Sequence, residues 1–178
     1  MKALYKDFAL WSNDLSVFCL PSAENLRFRH GPNCMSKENV TSRGRILLVD
    51  DDEGVRRLVE KLLEKCGYSV TGVGLAHQCL ERLSESTFDL ILLDHILPDM
   101  DGLLLLQLVR DRLGKSQKPI VYLTGMADDT TKRRAFEIGV DDYVTKPFDP
   151  GDFMARVSRQ MTKGVSVRVE AELELPHL

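Results

Sequence analysis

The sequence predicts an α/β fold, a doubly wound sheet of five parallel strands with helices on both faces. The first observation is that five short apolar runs alternate with segments whose apolar residues recur every three or four positions. The second is that runs such as 90–93 are apolar throughout, as in strands buried on both faces. The third is that polar residues end four of the five runs. Because parallel strands end at the same edge of a sheet, these residues predict a site there.

The first two strand–helix units precede residue 88. The apolar run 46–49 predicts a buried strand that ends in the acidic run 50–53, and the helix that follows stops at Gly67. Residues 68–74 predict a weaker strand without site residues at its end, which suits an edge position. The apolar faces of the two helices are Val55, Leu58, Val59, Leu62, Leu63 and Cys66, and Leu75, Cys79, Leu80 and Leu83.

The third unit contains the residue around which the chain is organised. The apolar run 90–93 ends abruptly at Asp94, and Pro98 with the turn 100–102 prevents the strand from continuing. A strongly apolar helix is predicted to follow over 103–113. Asp94 is therefore expected at the carboxyl end of a central strand, where open parallel sheets bind ligands.

The fourth and fifth units complete the sheet. Residues 119–124 predict a strand that ends at Thr124, and the next helix covers 130–138. Residues 142–147 predict the fifth strand, with Lys146 near its end. The last helix has an aspartate cap, a proline in its first turn and one apolar face. These residues are Asp149, Pro150, Phe153, Val157 and Met161.

Composition favours a single globular domain over 45–162 with an extension at each end. The chain has 178 residues and a net charge of −3. Residues 45–162 carry sixteen Lys and Arg against twenty Asp and Glu, which argues against a nucleic-acid surface there. No apolar run is long enough to span a bilayer, and no secretory signal opens the chain, so we expect a cytoplasmic protein. The four cysteines lack metal-like spacing and are expected to be buried or idle thiols, not ligands or disulfides.

The two extensions are less regular. Residues 1–44 predict a poorly ordered segment, with a partner-binding or membrane-surface helix as the alternative. The helical spacing in it is that of Leu4, Phe8, Trp11, Leu15 and Phe18. In the tail, 163–178, apolar and polar residues alternate over 165–175. This pattern predicts an extra strand that pairs with a sheet edge, a partner chain or residues 1–44, and solvated disorder is the alternative.

Four motifs have the order and spacing of one known family. They are Val49-Asp50-Asp51, Leu92-Leu93-Asp94 with Pro98-Asp99-Met100-Asp101-Gly102, Leu123-Thr124-Gly125, and Asp142-Tyr143-Val144-Thr145-Lys146-Pro147-Phe148. On these motifs, residues 45–162 resemble the receiver domain of bacterial two-component response regulators. The resemblance implies a flavodoxin-like fold with strand order 2-1-3-4-5. It also implies a phosphoacceptor that assists its own phosphorylation and dephosphorylation, not a turnover enzyme.

By this resemblance, Asp94 accepts a phosphoryl group from a histidine kinase or a histidine phosphotransfer protein. The resemblance further implies that Asp51 and Asp94 bind Mg²⁺ directly, that Asp50 binds it largely through water, and that the backbone carbonyl of Ile96 is another ligand. An all-oxygen site suits Mg²⁺. The cation would offset the repulsion between clustered carboxylates and a phosphoryl donor.

Lys146 and Thr124 can stabilise the transferred group, one as a point charge and the other as a hydroxyl donor. The resemblance implies that Thr124 moves towards the site on phosphorylation and that Tyr143 then turns inward. This switch would signal through the face of helix four, strand five and helix five. Ile96 and Met126 would flank the path of the attacking water, and their bulk predicts slow loss of the phosphoryl group. The alternative is that they only cover the pocket.

Output is expected through a protein partner and not through nucleic acid, because 163–178 leaves no room for a DNA-binding domain. The resemblance also admits a homodimer that forms on phosphorylation. One alternative is the receiver part of a truncated transcription factor. A haloacid-dehalogenase-like phosphatase is the enzymatic rival, but its DxDx(T/V) motif, nearly present at 50–53, fails at Gly54. The intact acid, Thr and Lys set argues against a receiver-like module that is never phosphorylated.

Overall fold

The computed structural model describes residues 42–114, 118–125 and 129–173, with side chains up to residue 162. Strands and helices alternate through this part of the chain, which confirms the five predicted units. The strands are β1 (Arg45–Val49), β2 (Ser69–Val73), β3 (Leu90–Asp94), β4 (Ile120–Thr124) and β5 (Asp142–Thr145). The helices are α1 (Glu53–Lys65), α2 (Ala76–Glu85), α3 (Gly102–Leu113), α4 (Asp129–Ile138) and α5 (Pro150–Leu173).

The five strands form one parallel sheet in the order β2-β1-β3-β4-β5, which confirms the predicted doubly wound fold. Every residue of β3 and β4 is buried, and for β3 the unbroken apolar run 90–93 predicted this. Val49 pairs with Leu93, and Asp94 pairs with Leu123. This register brings the carboxyl ends of β1, β3 and β4 to the same edge. β2 lies at the border of the sheet, away from that centre.

Three of the helices begin with a carboxylate cap from a residue that precedes the helix directly in sequence. Asp52 accepts hydrogen bonds from the amides of residues 54 and 55 at the start of α1, and Asp101 accepts from those of residues 103 and 104 at the start of α3. Asp149, the predicted cap of α5, accepts from the amide of Asp152 over 2.9 Å. Each cap satisfies amides that have no partner within the helix and places negative charge at its positive end.

The end of α5 corrects one prediction. The alternating stretch 165–175 was expected to form a strand, but α5 continues as a helix to Leu173. Extending a helix that has already formed adds a hydrogen bond for each residue fixed, whereas a new strand needs a neighbouring edge. The prediction for residues 1–44 falls almost entirely on residues 1–41, which lie outside the described part of the chain, as do residues 174–178.

Two further observations concern the described residues only. Cys66 is half-buried, Cys79 is buried, and both are free thiols. None of the helices in the described ranges has both the length and the apolar composition needed to cross a membrane.

Candidate functional site

Three carboxylates meet where β1 and β3 end. Asp94 is the last residue of β3, and Asp50 and Asp51 follow β1 directly. One carboxylate oxygen from each side chain lies within 4.8 Å of the others. Asp50 and Asp94 are buried, whereas Asp51 is exposed. The adjacent parallel strands therefore concentrate negative charge in a pocket that reaches solvent through one of its three acids.

The side chain of Lys146 bridges two of these acids. Its Nζ atom lies 2.6 Å from Oδ2 of Asp50 and 2.7 Å from Oδ2 of Asp94. The lysine follows β5, and its backbone amide donates to the carbonyl of Thr124 over 2.7 Å, which fixes the start of the side chain. One ammonium thus faces three carboxylates, so the site keeps an excess of negative charge.

Burial controls protonation in this cluster. Burial is the main cause of a raised pKa for Asp50, and the charge of Asp94 adds to it. Lys146 opposes both effects, and the net result is a pKa of about 6. Burial alone would lower the pKa of Lys146, but attraction and hydrogen bonds from the two carboxylates outweigh it and raise that pKa. The lysine is therefore a permanent cation, whereas the ionised form of Asp50 needs compensating positive charge.

The donor set fits a hard divalent cation. Its members are carboxylate oxygens, which Mg²⁺ prefers, and their excess negative charge is what such a cation would neutralise. Backbone amides orient two of the carboxylates: the amide of Asp52 donates to Asp50 over 3.0 Å, and that of His95 donates to Asp94 over 2.7 Å. The acidic pocket is therefore compatible with metal binding.

Three of the other predicted site residues lie on β4, on β5 and in the β3–α3 loop. Thr124 ends β4, next to β3, and is fully buried. Ile96 lies in the β3–α3 loop, residues 95–101, with 54% of its surface exposed. Tyr143 lies on β5 and is buried, with its ring 6.1 Å from the ring of Tyr122. Met126 lies outside the described residues.

A cavity of about 420 Å³ adjoins Tyr143 between α4, β5 and α5. Its lining combines an exposed aromatic ring with charged groups of both signs, among them Phe136, Lys132 and Arg156. Lys132 places its ammonium 5.7 Å from the centre of the Tyr143 ring. The face expected to carry output is therefore recessed and chemically mixed.

Two contacts of this edge escaped the sequence analysis. Nη1 of Arg56 donates to the carbonyl of Asp50 over 2.7 Å, and no sequence pattern predicts this contact. Nδ1 of His95 lies 2.8 Å from the hydroxyl oxygen of Tyr122. A tyrosine inside an otherwise aliphatic buried strand was a signal for the second contact, because a buried hydroxyl usually has a hydrogen-bond partner.

Known proteins place this arrangement in a family. The sequence profile of the response regulator receiver domain matches residues 46–158. The chain belongs to this family. It is 34% identical over 125 residues to the transcriptional regulatory protein SrrA of Staphylococcus aureus, an alignment that covers 70% of this chain and 51% of SrrA. The receiver thus spans about half the length of the curated relatives it matches.

Solved receiver domains share the fold. A CheY-like receiver from Methanospirillum hungatei superposes with a TM-score of 0.65 at 30% identity, covering 68% of this chain and 96% of that one. The BeF3-activated N-terminal receiver of RstA from Klebsiella pneumoniae gives a TM-score of 0.62 at 31% identity, covering 66% and 97%. The expectation of no nucleic-acid partner is not supported, because the curated relatives are transcriptional regulators.

Proposed function

We propose that this receiver takes a phosphoryl group on Asp94 from a histidine kinase or a histidine phosphotransfer protein, with Mg²⁺ bound. The observation that carries the proposal is the position of the Asp94 carboxylate, 2.7 Å from Lys146 and clustered with Asp50 and Asp51. Receiver domains similar to this one are described as BeF3-activated, which supports an acyl-phosphate form.

In the proposed reaction, a carboxylate oxygen of Asp94 attacks the phosphorus of a phosphohistidine. A phosphorus–oxygen bond forms as the phosphorus–nitrogen bond breaks, and the imidazole leaves with its electron pair. Lys146 is positioned to pair with one phosphoryl oxygen, and the hydroxyl of Thr124 is assigned to another. Positioning and charge stabilisation are what this transfer requires.

The metal ligands in this proposal are Asp51 and Asp94, the backbone carbonyl of Ile96, and Asp50 largely through water. The bound Mg²⁺ would supply neutralisation of charge on the transferring phosphoryl group. The amide contacts to Asp50 and Asp94 hold their carboxylates in place before the ion arrives. Lys146 holds the shape of the site through its contact with Asp94. After transfer, a phosphoryl oxygen would take over that contact.

The output we propose runs through Thr124 and Tyr143 to the face of α4, β5 and α5. Movement of Thr124 towards the phosphoryl group would leave room for Tyr143 to turn inward, altering the neighbouring cavity. A protein partner, or a second phosphorylated copy of this chain, would bind that face. BeF3⁻ should therefore change amide chemical shifts on α4 and α5 and not only in the acid pocket. A cytoplasmic location is part of the proposal, supported by the response-regulator relatives.

A second candidate output is the control of transcription. It is favoured by the curated relatives, which are transcriptional regulators about twice as long as the part they share with this chain. In that case, the face of α4, β5 and α5 would act on a DNA-binding partner or domain. Phosphorylation-dependent binding of this chain to a DNA-binding protein, seen on gel filtration, would favour this candidate.

Acetyl phosphate tests the acceptor directly. Incubation with Mg²⁺ should add one base-labile phosphoryl group per chain, as seen by intact mass. Asp94→Asn or excess EDTA should abolish the addition, whereas Asp111→Asn, a change at an exposed acid on α3, should not. Labelling that survives Asp94→Asn would refute the assignment, and steady hydrolysis of an aryl phosphate would favour the phosphatase instead.

A further inference from the structure

A tyrosine hydroxyl lies at the base of the β3–α3 loop. Tyr122 is fully buried in the middle of β4, and its hydroxyl oxygen lies 2.8 Å from Nδ1 of His95, the first residue after β3. The two rings lie 5.8 Å apart between centroids. Burial raises the pKa of Tyr122, and nearby carboxylates raise it further, so the hydroxyl stays neutral. A neutral hydroxyl fixed in the core is thus held against the loop.

The loop closes around this hydroxyl. The amide of Gly102 donates to the carbonyl of His95 over 2.9 Å, and Ile96 and Asp101 form an antiparallel bridge. A Cβ atom on Gly102 would lie 2.3 Å from the His95 carbonyl oxygen and 2.6 Å from the Tyr122 hydroxyl. Both distances are far below van der Waals contact, so only glycine allows the loop to close against Tyr122.

The same loop residue adjoins the acidic pocket. The amide of His95 donates to Oδ1 of Asp94 over 2.7 Å and to the carbonyl of Leu123 over 2.9 Å. The next residue is Ile96, whose carbonyl belongs to the proposed metal ligands. The backbone of His95 therefore contacts the Asp94 carboxylate directly and leads into the peptide that carries the Ile96 carbonyl, while its imidazole contacts Tyr122.

We propose that Tyr122 and His95 are positioning residues that hold the β3–α3 loop in its cation-binding conformation. The inference rests on the proposed function, because it concerns the same Mg²⁺ site. Neither side chain would touch the ion. Their hydrogen bond would fix a ligand-bearing peptide before the ion binds, so that binding does not have to order the loop. The competing explanation is that the bond only satisfies a buried hydroxyl and does not affect the conformation of the loop.

The test compares Tyr122→Phe with Tyr68→Phe, a matched change of another buried tyrosine, remote from this loop. Isothermal titration calorimetry at one fixed pH measures Mg²⁺ affinity. For Tyr122→Phe we expect binding about tenfold weaker, the lower end of the effect of losing an outer hydrogen bond to a metal site. We also expect faster hydrogen exchange at the Gly102 amide without the cation. Tyr68→Phe should change neither measurement.

A second pair of variants separates positioning from general stability. His95→Leu removes the ring nitrogen and should weaken Mg²⁺ binding as Tyr122→Phe does. His95→Asn places an amide near the position of Nδ1 and should recover most of the affinity. Acetyl phosphate should phosphorylate the Tyr122→Phe variant slowly at low Mg²⁺ and at the parent rate at saturating Mg²⁺. A role in stability alone would lower the melting temperature and leave Mg²⁺ affinity unchanged.

The outcomes distinguish the two proposals. If the unaltered chain binds no Mg²⁺ and takes no phosphoryl group, the proposed function fails. If it does both, and Tyr122→Phe and His95→Leu match its Mg²⁺ affinity and Gly102 exchange rate, the positioning role is overturned while the proposed function stands. Equal weakening by His95→Asn and His95→Leu would also overturn it.

Discussion

Asp99 caps the N-terminus of α2, although the first residue of that helix, Ala76, lies 23 positions earlier in the chain. Oδ1 of Asp99 accepts from the amide of Ala76 over 2.8 Å, and Oδ2 accepts from the amide of His77 over 3.1 Å. Nδ1 of His77 lies 2.9 Å from the same oxygen. The residue in the cap position, Leu75, makes no side-chain cap of its own. A loop carboxylate thus replaces a local cap and ties the β3–α3 loop to α2.

Removing this carboxylate should destabilise the fold. Asp99→Ala leaves two amides at the start of α2 without their acceptor, and the free energy of unfolding should fall by about 1 kcal/mol, as for loss of a local cap. Asp99→Asn keeps one acceptor oxygen and should cost less. Urea denaturation at neutral pH provides the measurement, with Asp111→Ala as the control. An Asp99→Ala variant as stable as the parent would mean that water replaces the cap at no cost.

The same contact should depend on pH. Burial opposes ionisation of Asp99, but hydrogen bonds from Ala76 and His77 outweigh it and lower the pKa from 3.8 to about 2. A lowered pKa in the folded state means that the stabilisation is complete above 3.8 and is lost as pH falls through about 2. The stability difference between the parent and Asp99→Asn should therefore shrink over that window. A difference that stays constant down to its lower end would contradict this mechanism.

Lys146 should be structural as well as functional. Lys146→Met leaves two buried carboxylates without their counter-charge, and unpairing a buried ion pair costs about 3 kcal/mol. We expect a loss of that order in EDTA, followed by substantial recovery when Mg²⁺ supplies positive charge. The control is Lys118→Met, which breaks a 3.5 Å pair with Asp89 that is more open to solvent and should cost under about 1 kcal/mol. The urea midpoint with and without Mg²⁺ checks both.

The sequence predicted the sheet and most of the pocket because each signal was local. Asp50 and Asp94 each follow an apolar run and Lys146 follows the fifth strand, and parallel strands align such ends regardless of the loops between them. The family motifs then fixed the strand order, which periodicity alone does not specify.

What escaped prediction was set by contacts between distant residues or by competing periodicities. The Asp99 cap and the bond between His95 and Tyr122 join segments more than twenty positions apart, and no local pattern identifies both partners of either contact. The strand prediction for residues 165–175 was wrong for another reason. The period of two in that stretch is compatible with a strand, but α5 was already formed and its extension needed no partner edge.

The lifetime of phospho-Asp94 should depend on the two apolar side chains proposed to flank the attacking water. Ile96 is half exposed and lies two residues after Asp94, so a polar side chain there could hold a water without disturbing the core. Ile96→Asn with Met126→Glu should hasten dephosphorylation about tenfold, since that factor needs only about 1.4 kcal/mol of better positioning. Loss of label after removal of acetyl phosphate measures the rate.

Leu104 offers the matched control for this double variant. It is 53% exposed on α3, close to the 54% of Ile96, but it does not follow the phosphoacceptor. Leu104→Asn should leave the decay rate unchanged. If the double variant decayed at the parent rate with its fold and Mg²⁺ affinity intact, these side chains would only cover the pocket.

Gln160 should be replaceable by an apolar side chain. It is fully buried on α5, where Nε2 donates to the carbonyl of Asp141 over 3.3 Å and Oε1 has no partner among the described residues. Gln160→Met keeps a similar shape, removes the unsatisfied oxygen and gives up only one long hydrogen bond. We expect the free energy of unfolding to be unchanged or higher by up to about 1 kcal/mol. An unpaired buried acceptor costs at least as much as such a bond contributes. Gln160→Glu should be clearly destabilising at neutral pH, since it buries a charge at the same place. A large loss of stability in Gln160→Met would mean that Oε1 has a partner, such as a bound water.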